Sequence, residues 1–452
     1  MNRATLEDKL WVATFIIAVS SDVLSGVIRY ATSMIHLAPA TYLPKLLMLA
    51  WVLLIIIKRP KANHALIALY LLAQSFVSLA HGVAPEAVGF WVWTVMPMLF
   101  ALTASPGALQ LLNGGAARVA FFLLAAACFT GLLLNSFAPM PWVGQSVSVG
   151  GHNVAVAMNS YVGVASRLTG FGRDSASTGL MVGLLTTWLL TRTRSRLLQL
   201  ALLGCAGAAV YATTNKTAPV AMVLVVCAHC FFATPTIKRA CLWAIGVAVG
   251  FPIVTFLATA AINLAGSSYV TLASFQDRMW NTWPRLIEGL LKDNRIWLGL
   301  GPGGFGSAST YYESAFGFQV AYADNTVLYA VASFGLIGTV VLVWALVRLM
   351  MRADDNAVRT SWVMLLYLLF ACASTDICES IGCLLFLGVT IRYLHVSVPE
   401  TYSRLSPMSP MNPLSRITMP GQTPASGVVI DEHQHLDPRL NAPVTGYGRH
   451  LT

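Results

Sequence analysis

The sequence predicts an all-α, polytopic membrane protein of about twelve transmembrane helices, and three observations predict it. First, 56% of the 452 residues are hydrophobic and only 10% are charged, against about 25% charged in soluble globular domains. A water-soluble fold of this size could not cover its surface with so few charges. Second, the apolar residues come in runs of about 17–25, the length over which a helix crosses a bilayer while satisfying its own backbone groups. Third, the basic residues between those runs are abundant in alternate connections, as the positive-inside rule requires.

Taken in order, the spans fall near residues 10–28, 42–57, 64–83, 87–104, 117–135, 176–191, 197–214, 218–235, 241–263, 326–350, 360–375 and 377–396. The first lacks a small-residue cleavage site and reads as a retained span, not a removed signal. Segments 42–57 and 176–191 are short for spans. Alternate connections carry Lys58, Arg59 and Lys61; Arg118; Arg192, Arg194 and Arg196; Lys238 and Arg239; and Arg348, Arg352 and Arg359. The opposing short connections carry Arg29 and Lys216. Both termini are therefore expected in the cytoplasm.

Residues 1–399 form the expected transmembrane domain, with long outer connections at 136–175 and 264–325. The second of these is too long for a turn, and its Trp280, Trp283, Trp297, Tyr311, Tyr312, Phe316 and Phe318 argue for order. From residue 400 to 452 the character changes to Pro, Ser, Met and Gly without periodicity, as in SPMSPMNPLSR. This stretch is expected to be a disordered cytoplasmic tail, with His433 and His435 solvated in it.

The net charge of +10 does not indicate nucleic acid, because the charges sit in short runs between apolar stretches, not on one solvated face. Of the eight cysteines, Cys128, Cys205, Cys227 and Cys230 lie inside apolar runs, where Cys acts as a small hydrophobe. Cys227-x-His229-Cys230 lacks the loop context of a zinc site. No metal site is expected.

Residues able to do chemistry gather in the outer connections. SRLTGFGRDSASTGL places Arg167, Arg173 and Asp174 just before a span; the two arginines either snorkel to the headgroups or bind an anion. YATTNKTAPVAM puts Lys216 between Asn215 and Thr217, with Pro219 suited to a first helical turn. Lys216 is either a plain loop cation or part of an anion cradle at a helix start. In DRMWNTWPRLIEGLL, Arg278 and Arg285 are seven apart and so share a helix side, near Trp280. Two guanidinium forks suit a diphosphate; the alternative is an amphipathic surface helix with Glu288 as the partner of Arg285. Gly299, Gly301 and Gly304 satisfy G-x-G-x-x-G, but no strand precedes them, and a flexible loop near the site is expected. Asp324 and Asn325 stand directly before a span. Asp324 either takes part in proton transfer or caps the helix.

The succession of an Arg–Gly outer segment, a T-x-x-K-T junction, an R-x-x-x-W-rich loop, GLGPGGF and ADNTVLYAVASFGLIG resembles the bacterial O-antigen ligase and Wzy-type polysaccharide polymerase superfamily over about residues 160–345. The resemblance implies a GT-C-like membrane glycosyltransferase whose large periplasmic loop contains short helices. It implies action without metal or other cofactor, at the outer face of the bacterial inner membrane. The implied donor is an undecaprenyl-diphosphate-linked glycan, and the implied partners are membrane lipid, flippase and chain-length regulator proteins. In the ligase branch the late motif usually reads His-Asn and the junction usually carries Arg. This chain has Asp324-Asn325 and Lys216, departures that favour a polymerase. On that reading Lys216 and Arg278, with Arg167 or Arg285, stabilise the departing diphosphate. Asp324 activates the attacking hydroxyl, and Arg173, Asn325 and Trp280 help bind substrate. A ligase moving finished glycan to another acceptor, and a polysaccharide transporter or flippase with a midplane site, remain the alternatives.

Overall fold

The computed structural model of the chain describes residues 5–60, 62–149, 152–158, 160–162, 165–258, 276–292, 294–312, 320, 322–353 and 359–396. All of them fall in one unit, Met1–Leu405. The expected tail 400–452, with His433 and His435, lies outside the described residues, as do Phe316 and Phe318.

The helices in chain order are α1 Leu6–Val23, α2 Ser25–Met34, α3 Leu43–Lys58, α4 Ala62–Ala80, α5 Pro85–Leu102, α6 Pro106–Leu112, α7 Gly115–Phe137 and α8 Ser175–Leu190. There follow α9 Arg196–Thr213, α10 Thr217–Phe231, α11 Thr234–Ala258, α12 Trp283–Lys292, α13 Ala308–Tyr311, α14 Thr326–Arg352, α15 Arg359–Ser374 and α16 Ile381–His395. Six of the described helices are long and apolar enough to cross a membrane, seven if the bent pair α1–α2 counts as one span. Five shorter apolar helices accompany them. The fold is consistent with a multi-pass membrane protein.

Surface character points the same way. The stretch Ala38–Lys58, a 3-10 turn running into α3, buries only 11% of its most apolar window. Tyr211, Phe231 and Trp243 are 86%, 78% and 78% exposed. Soluble monomers do not leave apolar faces of this extent to water. The short helices have the opposite character. Residues Thr178–Leu190 of α8 and Thr360–Leu369 of α15 are buried without interruption, and a helix apolar on every side belongs inside. A helix enclosed by other helices meets no lipid, so it need not match the full bilayer thickness. That accounts for the shortness of the segment expected at 176–191.

Two helices are interrupted, and in each case a loop carbonyl takes over the broken hydrogen bonding. The first span, expected at 10–28, bends by 85° between α1 and α2. There the Gly26 N–H donates to the Phe171 carbonyl at 3.0 Å. The second break is at Gly335 within α14, where φ is 69° and ψ is −179°. In an unbroken helix Leu336 N–H would donate to Ala332 and Ile337 N–H to Ser333. Instead they donate to Ile296 and Trp297 at 2.8 and 3.2 Å, while Ala332 and Ser333 accept from Leu300 and Gly301 at 2.7 and 3.0 Å. Residues 296–301 are thus spliced into the helix, and all four backbone groups stay paired, as burial demands.

The GLGPGG segment is therefore not the expected flexible loop. Leu300 and Phe305 are 0% and 1% exposed, and a Cβ at Gly301 would come within 2.6 Å of the Ser78 Cα in α4. Close backbone approach, not phosphate binding, explains these glycines. Gly335 has a conformation almost reserved for glycine, and an added Cβ would run into the Trp297 carbonyl. Gly335→Ala is expected to cost about 2–5 kcal/mol, measurable as a lower melting temperature of the detergent-solubilised protein.

The described residues of the connection 136–175 contain two hairpins. Strands β1 Ser146–Val149 and β2 His152–Ala155 pair antiparallel, with Ser146 opposite Ala155; β3 Ser160–Val162 and β4 Ala165–Arg167 pair likewise, with Ser160 opposite Arg167. The second hairpin delivers Arg167 to the start of the site.

Candidate functional site

The ends of α9, α10, α14 and α15 meet, and four charged groups expected from the sequence meet with them. α9 stops at Thr214, which is left-handed at φ 52°, and its Oγ1 accepts from Arg167 Nε at 2.8 Å. Asn215 then turns the chain: its Oδ1 accepts from the N–H groups of Thr217 and Ala218 at 2.9 and 3.0 Å, and its Nδ2 donates to the Ala176 carbonyl at 3.0 Å. Two N–H groups of the anticipated anion cradle are therefore already occupied. What this junction presents outward is the exposed Lys216.

On the opposite side Arg278 opens a single π-helical turn, Arg278–Thr282. Its Nε lies 3.0 Å from Asp324 Oδ2, and its Nη1 donates to the Ser374 carbonyl at 3.1 Å. Asp324 is held at φ 49° and does not cap α14. Asn325 does that, accepting the Leu328 N–H at 2.9 Å while its amide donates to the Ala373 carbonyl at 2.7 Å. Asn325 is fully buried and both ends of its amide are used within the protein; it positions Asp324. The Asp324 side chain is 49% exposed and that of Arg278 25%, and a pair this wet adds only about 0–1 kcal/mol of stability. Asp324 Oδ1 has no hydrogen-bond partner among the described residues and is open to a ligand.

Arg167, Lys216 and Arg278 lie close enough for their charges to act on one another. Burial lowers the Arg167 guanidinium first, Arg278 lowers it further, and Asp174 and Asp324 oppose them. Desolvation lowers the Lys216 ammonium first, followed by Arg278 and Arg167. Like charges held together at a cost in solvation make this a candidate anion site.

The other expected residues go elsewhere. The π turn adds a residue to the helical repeat, so Arg278 and Arg285 do not share a face as the seven-residue spacing suggested. Arg285 is exposed on α12, whose Trp283, Leu286 and Leu290 are buried; Trp280 is 43% exposed. Arg173 stands near Arg29 and Lys45.

Sequence reasoning missed the connection Thr375–Ser380 between α15 and α16. Thr217 Oγ1 lies 2.7 Å from Ser374 Oγ and 3.1 Å from Thr375 Oγ1, and Thr326 Oγ1 donates to the Thr375 carbonyl at 2.8 Å. Ser374 thus ties the start of α10 to Arg278, and Thr375 ties α10 to α14. The next residue, Asp376, has its Oδ2 buried without a partner. Burial, then Glu379, with Asp324 adding to them, pushes its carboxyl well above the ordinary range. The available signal was two carboxylates, Asp376 and Glu379, between two apolar runs.

No family model matches the chain, and no curated protein matches it.

Proposed function

We propose that the protein is a metal-independent membrane glycosyltransferase that polymerises undecaprenyl-diphosphate-linked repeat units into exopolysaccharide, capsule or O-antigen. In this reading twelve helices cross the bacterial inner membrane in a GT-C-like arrangement, both termini are cytoplasmic, and the site opens at the periplasmic face. The observation that carries it is the grouping of Arg167, Lys216 and Arg278 near Asp324, whose Oδ1 has no hydrogen-bond partner among the described residues.

In the proposed reaction an acceptor sugar hydroxyl attacks the anomeric carbon of the donor. The new bond forms as the bond from that carbon to the diphosphate oxygen breaks. The bonding pair leaves with the diphosphate, and the hydroxyl proton passes to Asp324 Oδ1. Fixed cations where the leaving charge develops lower the barrier, because they need no reorganisation at the moment of transfer. A polymerase is favoured over a ligase by Asp324 and Lys216 in the motif positions. A transporter is disfavoured because the charges gather at helix ends, not at a midplane site.

Deleting the gene and profiling lipid-linked glycans tests this directly. Single repeats on lipid are expected. Full-length unattached chains would instead identify a ligase, and units trapped inside would identify a flippase.

Lys216 adds a pH prediction. Its lowered ammonium loses its proton at a lower pH than a free lysine, so activity that needs the charge falls as pH rises through that lowered value. Lys216→Arg keeps its charge well above this range and is expected to move the alkaline limb of the rate profile upward. An unmoved limb would remove Lys216 from the reaction.

A further inference from the structure

The charged site lies at the start of α14. At the other end of that helix the fold leaves a cleft of about 810 Å³, bounded by the starts of α1 and α4, the short α6, and the C-terminal ends of α3, α5, α14 and α16. Sites for organic ligands span about 300–1,000 Å³.

The walls come from two helices that do not close on each other. α3 and α4 are joined only by residues 59–61, a connection so short that such helices ordinarily pack as antiparallel neighbours. Here each packs on α5 instead. Trp51, Val52, Ile55 and Ile56 of α3 line the cleft on one side, and Ile67 and Ala68 of α4 on the other. Ile56 and Ile67 remain 40% and 41% exposed. An apolar slot between two helices of this kind admits a hydrocarbon chain.

The polar end of the cleft is built at the junction of α5 and α6. Arg392 of α16 donates Nε to the Ala104 carbonyl at 2.8 Å, which fixes its guanidinium in the lining. The rest of its fork has no partner among the described residues. Two other lining residues carry a buried polar atom without a partner, Trp51 at Nε1 and His64 at Nδ1. The carboxylates of the lining, by contrast, are occupied. Glu7 receives Lys58 on Oε1 at 2.9 Å and Arg59 on Oε2 at 3.3 Å. Asp8 accepts the Thr5 N–H on Oδ2 at 2.9 Å and the Ser105 hydroxyl on Oδ1. The open groups therefore include the Arg392 fork and the Trp51 indole N–H, both donors. A buried donor is costly unless an acceptor arrives, and a phosphate supplies several acceptors to a guanidinium fork.

We propose that this cleft binds an anionic phospholipid, its phosphate on Arg392 and the Trp51 indole N–H and one acyl chain in the slot between α3 and α4. A zwitterionic headgroup brings an ammonium as well, and both carboxylates that could receive it are already held by protein donors. The site stands apart from Asp324 and Arg278 and is independent of the transferase reading.

Dioleoylphosphatidylglycerol and dioleoylphosphatidylethanolamine, each titrated into the delipidated full-length protein and read by native mass spectrometry, test this. The phosphatidylglycerol is expected to occupy one site at least about tenfold more tightly than the phosphatidylethanolamine. Arg392→Gln is expected to weaken that site by about ten- to a hundredfold. Trp51→Phe keeps a ring and removes only an N–H that no protein group uses, and is expected to weaken it about fivefold. Ala68→Phe adds bulk at an exposed position of the slot and should abolish the site while every polar group stays in place. Phosphatidylglycerol bound at full strength in Ala68→Phe would lie elsewhere on the protein and overturn the cleft. Affinity unmoved by both Arg392→Gln and Trp51→Phe would overturn the headgroup placement, and equal affinity for the two lipids would overturn the anionic assignment. Displacement of the lipid by glycerol 1-phosphate, which has the phosphate and no chain, would overturn the role of the apolar walls.

Discussion

Asp324→Asn is expected to lower turnover by about 10²–10⁴-fold while changing donor KM by no more than about threefold. The substitution is unusually clean. Asp324 sits at φ 49°, a left-handed conformation that asparagine also accepts, and the capping of α14 belongs to Asn325. The fold therefore keeps its backbone geometry, while the side chain loses its basicity and its negative charge beside Arg278. A fall in turnover at constant KM is the pattern of an interaction made in the transition state. Unchanged turnover would leave Asp324 as a mere partner of Arg278.

Arg278→Ala is expected to lower turnover by about 10²–10³-fold, the scale of removing one fixed donor from a developing negative charge. In cells, polymer should disappear and single repeats should accumulate on lipid. Two of the donor groups of Arg278 are engaged, one with Asp324 and one with the Ser374 carbonyl, so the rest of the fork is aimed by anchors on two different elements. Arg278→Lys retains charge but cannot reproduce that aim, and should restore only part of the rate. Normal polymer from either variant would take Arg278 out of the reaction.

Much of the architecture was legible in the sequence because lipid imposes a simple length rule. Each of the twelve apolar segments contains a described helix, although α11 begins at Thr234, several residues before the expected start of that span. The breaks were not legible. Leu24 and Gly335 lie inside continuous apolar runs, and the groups that replace their lost hydrogen bonds, Phe171 and residues 296–301, are distant in sequence.

The site was half legible for a related reason. Arg167, Lys216 and Arg278 stood out as cations where the positive-inside rule leaves few, Asp324 as a carboxylate directly before a span, and they come together. Arg285 was misplaced because a π turn is invisible to a seven-residue spacing. The choice between Asp324 and Asn325 as cap could not be made from adjacent residues with the same capping chemistry. Asp376 escaped notice because it falls at the seam of two apolar runs, where it reads as a boundary marker.

The splice at Gly335 also constrains how the chain is built. Ala332, Ser333, Leu336 and Ile337 expose four backbone groups that only residues 296–301 satisfy, and an unpaired group in hydrocarbon costs several kcal/mol. Residues 296–301 leave the ribosome before 326–352, so the clamp is synthesised ahead of the helix it completes. The late helix therefore reaches its final hydrogen bonding only when it docks onto a segment made before it.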